Sequence, residues 1–344
     1  MTRENEILQY LHYHPCSSRS EIETGMDLTE SPATVKRMLA LLVEAGSAIV
    51  SGQGRATRYS VSPQAHVTMP LDIDTYFQKE TDERTVQTTF NFELINDILP
   101  KVDLFTAEEK ERLDALQAQF TRNLEGISPN VYRKEMERLG IDLSWKSSQI
   151  EGNTYSLLET EKLLKEKLTA SGKTKDEAVM LLNHKDALDY VLADPDYLNE
   201  ISVWRIEELH ALLTKELNVD KGIRKRRVGI TGTNYCPLDN EYQIREALED
   251  TCQLINGKEN VFEKALLALM LLSYIQAFSD GNKRTARITS NAILIANKYC
   301  PISFRTVDSA DYKKAMLIFY EQNNISAFKK IFIDQFAFAV QTYF

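Results

Sequence analysis

Residues 276–287 read Gln-Ala-Phe-Ser-Asp-Gly-Asn-Lys-Arg-Thr-Ala-Arg, a polar stretch between two apolar ones. An almost unbroken apolar run from Ala265 to Ile275 precedes it, and a periodic run from Ile288 to Lys298 follows. This pattern predicts two buried helices joined by a short turn whose apex is Gly281 and Asn282. The core of the protein is therefore expected to be helical, with a tight polar loop inside it.

The second of these helices would carry Arg284 and Arg287 in its first turn. Backbone N–H groups at a helix start are unpaired and attract anions. Gly281 lets the backbone approach a ligand closely, and arginines three positions apart lie on one helical face. Asp280 supplies a carboxylate for the Mg²⁺ that accompanies a triphosphate. The loop therefore predicts a nucleotide phosphate site, with a solvated turn as the plain alternative.

The same loop closely resembles the signature of the Fic (Fido) family, which reads His-x-Phe-x-(Asp or Glu)-Gly-Asn-(Gly or Lys)-Arg-x-x-Arg. Seven positions match the signature: Phe278, Asp280, Gly281, Asn282, Lys283, Arg284 and Arg287. The first position departs from it, because Gln276 stands where the family has its histidine. In the family this histidine is the general base. A glutamine accepts a hydrogen bond but cannot remove a proton near neutral pH.

A second segment, Ser147-Ser148-Gln149-Ile150-Glu151-Gly152-Asn153, resembles the inhibitory pattern of the family, (Ser or Thr)-x-x-x-Glu-(Gly or Asn). The resemblance implies an N-terminal inhibitory helix over about residues 131–153, with Ser147, Glu151 and Gly152 in the motif. Glu151 would then reach Arg287 and occupy the place of the γ-phosphate. The alternative is a capping box formed by Ser148 and Glu151, although Gly152 would break the helix where such a box needs it to continue.

A β-prone stretch from Arg226 to Tyr235 predicts a short hairpin in an otherwise helical region. It resembles the Fic flap, here residues 228–235, which in the family pairs with the backbone of a protein target. The preceding Gly222-Ile223-Arg224 resembles the Gly-x-Arg that leads into the flap. The resemblance implies ATP and Mg²⁺ as ligands, with AMP transferred to a protein hydroxyl. It also implies nucleotide contacts from Gly229, Thr231 and Tyr312.

The chain divides into three predicted parts. Residues 1–63 carry the signals of three helices and a hairpin, and they resemble a winged helix-turn-helix domain. Residues 64–85 read as a linker, and residues 86–344 read as the Fic domain. The predicted fold class is mainly α, with a Fic-type helical core, a small β-hairpin flap and an N-terminal α+β winged-helix domain.

The N-terminal part raises the question of DNA binding. It contains six basic and seven acidic residues, whereas phosphate contacts supply most of the affinity of DNA-binding proteins. Four of the basic residues nevertheless cluster where a winged helix contacts DNA. The candidate residues are Thr34, Lys36, Arg37, Arg55 and Arg58. A protein-interaction or dimerisation surface is the alternative, and the sequence is compatible with a homodimer.

The composition is that of an ordinary soluble protein, with 344 residues, 43% apolar residues and a net charge of −9. The polar start of the chain does not resemble a signal peptide, and apolar stretches fall short of the roughly 18 residues that span a bilayer. The four cysteines lack Cys-x-x-Cys spacing. These features predict a cytoplasmic protein without a membrane partner.

The leading functional hypothesis is a nucleotide-binding Fic protein with weak or lost transferase activity and a regulatory role. A working protein adenylyltransferase, in which Gln276 only orients the target hydroxyl, is the first alternative. A DNA-binding regulator with a vestigial Fic core is the second. Removal of AMP by a water that Glu151 activates is a further use of the site, and Gln276 is a poor acid for it.

Overall fold

The computed structural model describes residues 3–344. The chain begins with α1 (Arg3–Tyr13), α2 (Arg19–Gly25) and α3 (Pro32–Glu44), followed by the antiparallel strands β1 (Ala48–Ser51) and β2 (Arg58–Val61). Ser31 accepts a hydrogen bond from the backbone of Thr34 at the start of α3, and Pro32 takes the first helical position. Both are signals of a helix start. The predicted order of three helices and a hairpin is therefore observed.

Residues 64–85, predicted as an irregular linker, contain the short helices α4 (Pro63–Thr68) and α5 (Ile73–Tyr76) and a 3-10 turn over Thr81–Glu83. Ser62 and Asp72 cap the two helices through their side chains. The segment also bonds to the helical core, because the backbone carbonyl of Val67 accepts from Ile325 N at 2.8 Å. Residues 64–85 are thus an ordered connection that is bonded to the helical core.

The rest of the chain is mainly helical. A π-helix (Leu94–Ile98) and a 3-10 turn (Leu99–Lys101) come before the longer helices. These are α6 (Ala107–Glu125), α7 (Pro129–Ile150), α8 (Leu157–Glu166), α9 (Lys175–Ala193), α10 (Val203–Leu213), α11 (Glu241–Gly257), α12 (Val261–Ile275), α13 (Asn282–Ala296), α14 (Ser309–Gln322) and α15 (Ser326–Tyr343).

Helix α12 lies at the centre of the core. Its side chains are apolar nearly all round and are buried from Phe262 to Ile275, save for the partly buried Lys264, as expected for a helix surrounded by other helices. Helix α13 packs against it after the polar loop, so the loop is held between two buried elements. Within residues 3–344, no helix has the length and apolar character needed to cross a membrane.

The structure corrects the prediction of a hairpin at residues 226–235. Within the described chain the only paired strands are β1 and β2, and residues 228–235 form no strand. The segment is instead held by the chain that precedes the core. Cys236 N donates to Thr88 O at 2.9 Å, and Arg84 Nη2 donates to Gly232 O at 2.7 Å. The name flap is kept below for residues 228–235.

Candidate functional site

The loop between α12 and α13 makes two sharp changes of backbone direction. Gln276 ends α12 in the left-handed conformation, at φ 51°. Gly281 precedes α13 at φ 82°, a value that favours glycine. Within residues 3–344, no side chain caps the start of α13. The first N–H groups of this helix are therefore directed at the loop and are available to an anion.

Asn282 fixes the shape of the loop. Its side-chain oxygen accepts from Phe278 N at 2.8 Å, and its side-chain nitrogen donates to Phe278 O at 2.8 Å. Both ends of the amide are thus engaged with the backbone. The side chain of Asn282 thus positions the loop, its backbone N–H lies at the helix start, and its contact with a nucleotide stays a prediction.

His210 supports the loop between α12 and α13, a role that was not predicted from the sequence. Its ring stacks on Phe278, with centroids 3.8 Å apart and planes at 9°. Its Nε2 lies 2.9 Å from the carbonyl oxygen of Asp280, a hydrogen bond in which the ring nitrogen donates. Burial lowers the pKa of His210 to about 4, so the ring is neutral at pH 7. His210 is therefore a positioning residue for the loop.

Arg284 is buried but poorly bonded. Only 2% of its side chain is exposed, and its Nη2 lies 3.3 Å from Asp280 Oδ2. Its Nη1 reaches Leu213 O at 3.5 Å, and its Nε has no hydrogen-bond partner in the described chain. Burial lowers the pKa of the guanidinium. An under-bonded buried cation is costly, so Arg284 is suited to an anion that enters the loop.

Arg287 is bound to the end of α7 through its Nε and Nη2, whereas its Nη1 has no hydrogen-bond partner within residues 3–344. Its Nε donates to Ser147 Oγ at 2.8 Å, and its Nη2 donates to Ser147 O at 3.0 Å and to Glu151 Oε1 at 2.9 Å. The contact predicted from the inhibitory motif is therefore present in the structure. His184, which the sequence did not single out, lies 2.6 Å from Ser147 Oγ through its Nε2 and is buried.

The end of α7 excludes the capping-box alternative. Ser148 lies inside the helix, Glu151 follows its last residue, and Gly152 adopts a positive φ of 99°. A carboxylate at a helix C-terminus opposes the helix dipole, so Glu151 depends on partners outside α7. Arg287 supplies one, and Lys283 Nζ supplies another at 3.4 Å from Oε2.

The protonation state of Glu151 follows from these partners. Burial alone would raise its pKa, but the positive charges of Arg287, Lys283 and Arg284 outweigh burial and lower the pKa below the ordinary value of 4.5. Glu151 is therefore ionised at neutral pH. It neutralises part of the positive charge that a phosphate group would need.

Two adjoining cavities open at the loop. The larger, of about 390 Å³, is lined by predicted nucleotide contacts Gly229, Thr231 and Tyr312 together with Glu151, Gln276 and Lys283. The smaller, of about 150 Å³, is lined by the loop itself from Ser279 to Arg284. Gln276 lines both, is 8% exposed, and donates from its side chain to Ser273 O at 2.7 Å. Gln276, which stands where the resemblance expects a histidine, thus lies where the two cavities meet.

Asp280 fits the role of a magnesium ligand. Its side chain is 68% exposed and lines the smaller cavity. Magnesium in nucleotide sites is commonly held by one or two carboxylates and by phosphate oxygens. Residues 3–344 contain no group of three or more His, Cys, Asp or Glu side chains placed to hold a metal by themselves. Asp280 would therefore hold the ion together with the nucleotide.

The predicted DNA contacts lie outside this pocket, in the N-terminal part of the chain. Lys36 and Arg37 are exposed on α3, and Arg55 is exposed in the turn between β1 and β2. Thr34 is partly buried, and its hydroxyl lies 3.0 Å from Ser31 Oγ. Arg58 is partly buried, and its Nη1 donates to Thr57 O at 3.1 Å.

Comparison with known proteins gives consistent results. The profile of the Fic/DOC family matches residues 200–294, which contain the loop but not Glu151. "Protein adenylyltransferase Fic" of Nematostella vectensis is 27% identical over 218 residues, covering 62% of this chain and 51% of that protein. "Protein adenylyltransferase fic-1" of Caenorhabditis elegans is 28% identical over 170 residues, covering 47% and 33%. The chain therefore spans about a third to a half of these curated relatives.

Solved structures show the same fold. Fic-1 from Caenorhabditis elegans superposes with a TM-score of 0.61 at 22% identity, covering 69% of this chain and 72% of that chain. A Fic-domain-containing signaling protein from Bacteroides thetaiotaomicron gives 0.57 at 18% identity, covering 67% and 95%. The mainly helical architecture is shared with these proteins, and residues 200–294 of this chain match the profile of the Fic/DOC family.

Proposed function

We propose that this chain binds Mg·ATP in the two adjoining cavities, that Glu151 restrains the bound nucleotide, and that transfer of AMP to a protein hydroxyl is weak or lost. The observation that carries this proposal is the pair of buried arginines at the uncapped start of α13. Within residues 3–344, Arg284 lacks a partner for its Nε and Arg287 lacks one for its Nη1, and Arg287 is in addition held by Glu151. One arginine is ready for a phosphate, and the other is held by a carboxylate that takes a phosphate's place.

The charges at the start of α13 support phosphate binding. Lys283, Arg284 and Arg287 lie in the first two turns, where the helix dipole disfavours cations. Such an arrangement costs stability unless anions are present, and the two carboxylates paired with these cations, Glu151 and the exposed Asp280, offset only two of the three charges. A triphosphate would satisfy the helix N–H groups and the cations together. Magnesium held at Asp280 would neutralise phosphate charge near the transferring group.

Gln276 limits the chemistry at this site. It lies where both cavities meet, which is where an attacking hydroxyl would have to lose its proton. A positioned general base typically contributes about 10² to 10⁴ in rate, and a glutamine supplies none of it. His210 does not replace the base, because it is stacked below the loop against Phe278. We infer that the chain acts mainly as an ATP-responsive regulator, with a protein target at the flap.

Calorimetric titration with Mg·ATP tests the proposal. Glu151→Gly should bind saturably and more tightly than the wild type, since Arg287 is then free. Arg284→Met in the same background should lose most of the affinity. Absence of saturable binding in both the wild type and Glu151→Gly would refute the proposed nucleotide site.

A second candidate function, DNA binding by the N-terminal part, is supported by the exposure of Lys36, Arg37 and Arg55. Salt-dependent retention on duplex DNA should then weaken in Arg37→Ala and Arg55→Ala. Each lost phosphate contact should lower the slope of log affinity against log salt by about one. The matched control is Arg122→Ala on α6, outside the N-terminal part. An affinity for DNA that is unchanged in both Arg37→Ala and Arg55→Ala would argue against DNA contact through this surface.

A further inference from the structure

The segment from Tyr76 to Thr89, called the strap below, connects the N-terminal part to the core and crosses to the flap. At its centre is Arg84, whose side chain is 3% exposed and pairs with Glu321 Oε1 at 3.3 Å. The carboxylate of Glu321, at the end of α14, is fully buried. Its other oxygen accepts from Tyr76 Oη at 2.6 Å. The strap is thus anchored in the core by a buried charge pair.

The same arginine holds the flap. Arg84 Nη2 donates to Gly232 O at 2.7 Å and to Thr81 Oγ1 at 2.9 Å. Gly232 has a positive φ of 87°, so its carbonyl belongs to a tight turn. One guanidinium therefore joins the core, the strap and the turn of the flap, an arrangement that suits the several fixed donors of arginine.

Two further contacts tie the strap to the flap and to Cys236, the residue that follows it. Asn234 Nδ2 donates to Asp82 Oδ1 at 2.9 Å, and both residues are exposed. Cys236 N donates to Thr88 O at 2.9 Å. Since residues 228–235 form no strand pair, these bonds to the strap take the place of the internal pairing that a hairpin would have.

The position of the flap matters for the pocket. Gly229, Ile230 and Thr231 line the larger cavity. Leu317, on α14, lines the same cavity, and its Cδ1 lies 3.7 Å from where a Cβ on Gly232 would be, so the Gly232 turn lies next to a cavity-lining residue. Movement of the Gly232 turn therefore changes the opening of the cavity.

We propose that the strap sets the position of the flap over the larger cavity and that Arg84 is the positioning residue of this device. Glu321 anchors Arg84, and Arg84 holds Gly232. The strap acts on the flap whether or not a nucleotide is bound, so it is tested without nucleotide. The effect of the flap position on ATP binding rests on the proposed function.

The experiment is amide hydrogen exchange on the full chain without nucleotide, read at Tyr235 and Cys236, together with thermal unfolding. Arg84→Ala should speed exchange at these amides by about tenfold or more, the factor expected for a lost charge-assisted hydrogen bond. Lys258→Ala is the matched control, because Lys258 also joins a buried carboxylate, Glu263, to a backbone carbonyl, Val102 O, at a site away from the strap. It should leave flap exchange unchanged.

Two milder variants separate positioning from general stability. Arg84→Lys keeps the charge opposite Glu321 but lacks the planar guanidinium that also reaches Gly232. Compared with Arg84→Ala, this variant should regain most of the thermal stability, but the flap amides should still exchange as fast as in Arg84→Ala. Asn234→Asp places a like charge beside Asp82 at the surface, so it should speed flap exchange at an unchanged unfolding midpoint. Unchanged flap exchange in both variants, or exchange that only follows the unfolding midpoint, would overturn the proposal.

Discussion

The two ends of the loop between α12 and α13 differ in what they offer a nucleotide. At one end, Asp280 to Arg287 combine an uncapped helix start, an exposed carboxylate and buried arginines. At the other end, Gln276 donates to the last turn of α12, and its amide neither takes up nor releases a proton near neutral pH. On the proposed function, phosphate binding and proton transfer are therefore assigned to separate residues of one loop, and one can be lost while the other stays.

The largest expected effect comes from supplying the missing base. In a Glu151→Gly background, Gln276→His should raise transfer of label from α-labelled ATP by about 10² to 10⁴, the range for a positioned general base. The measurement is label incorporated into the protein itself or into added protein. Gln276→Asn is the control, since it changes the side chain without adding a base. Equal incorporation in the His and Asn variants would contradict the account of Gln276.

Removal of a buried arginine should affect binding alone. In the Glu151→Gly background, Arg284→Met should weaken Mg·ATP binding by about a hundredfold, because a buried charged contact to phosphate is lost. The nucleotide-free protein should unfold at the same or a higher temperature, since an under-bonded buried charge is removed. Arg305→Ala, at the ion pair with Asp142 outside the pocket, serves as the control. Undiminished ATP affinity in Arg284→Met would show that the phosphates lie elsewhere.

Glu151 should restrain binding in a pH-dependent way. Glu151→Gln should tighten Mg·ATP binding by about ten- to a hundredfold by freeing Arg287. Because the pKa of Glu151 is below 4.5 in the folded protein, its charge stabilises the fold above that range. The stabilisation is lost as the pH falls through the folded pKa. The ratio of wild-type to Glu151→Gln affinity should therefore be constant from pH 6 to pH 8. A ratio that changes over this interval would place the titration of Glu151 there instead.

Among the cations Lys283, Arg284 and Arg287, removal of the Lys283 charge should weaken Mg·ATP binding the least. Its side chain is 26% exposed, so solvent screens its charge more than that of Arg284. In the Glu151→Gly background, Lys283→Met should weaken Mg·ATP binding by only about three- to tenfold. Calorimetry on the two single substitutions gives the order directly. A larger loss for Lys283→Met than for Arg284→Met would reverse the assigned roles.

Local signals explain why the loop and most helices could be predicted from sequence. The apolar run before Gln276, the glycine at the turn and the cations after it are close together in the chain. The contact between Glu151 and Arg287 joins residues 136 positions apart. It was accessible only through the resemblance of two motifs to those of a known family.

Tertiary contacts explain what the sequence did not reveal. The β-prone residues of the flap form no strand, and the flap is bonded to the strap through Gly232 O and Asn234 Nδ2, so local propensity was overridden. His210 and His184 bear no nearby motif, and each acts through a residue distant in sequence, Asp280 and Ser147 respectively. The engagement of Asn282 with Phe278 likewise depends on the folded shape of the loop.

The most direct test of separable binding and turnover compares Glu151→Gly with Glu151→Gly/Gln276→His in a single pair of Mg·ATP titrations and label-transfer assays. The two proteins should bind Mg·ATP with equal affinity within about twofold, while only the second transfers label at an appreciable rate. Two results would contradict the account: no saturable Mg·ATP binding in either protein, or equally fast label transfer by both. The first would refute the binding role of residues 280–287, and the second would show that Gln276 does not limit transfer.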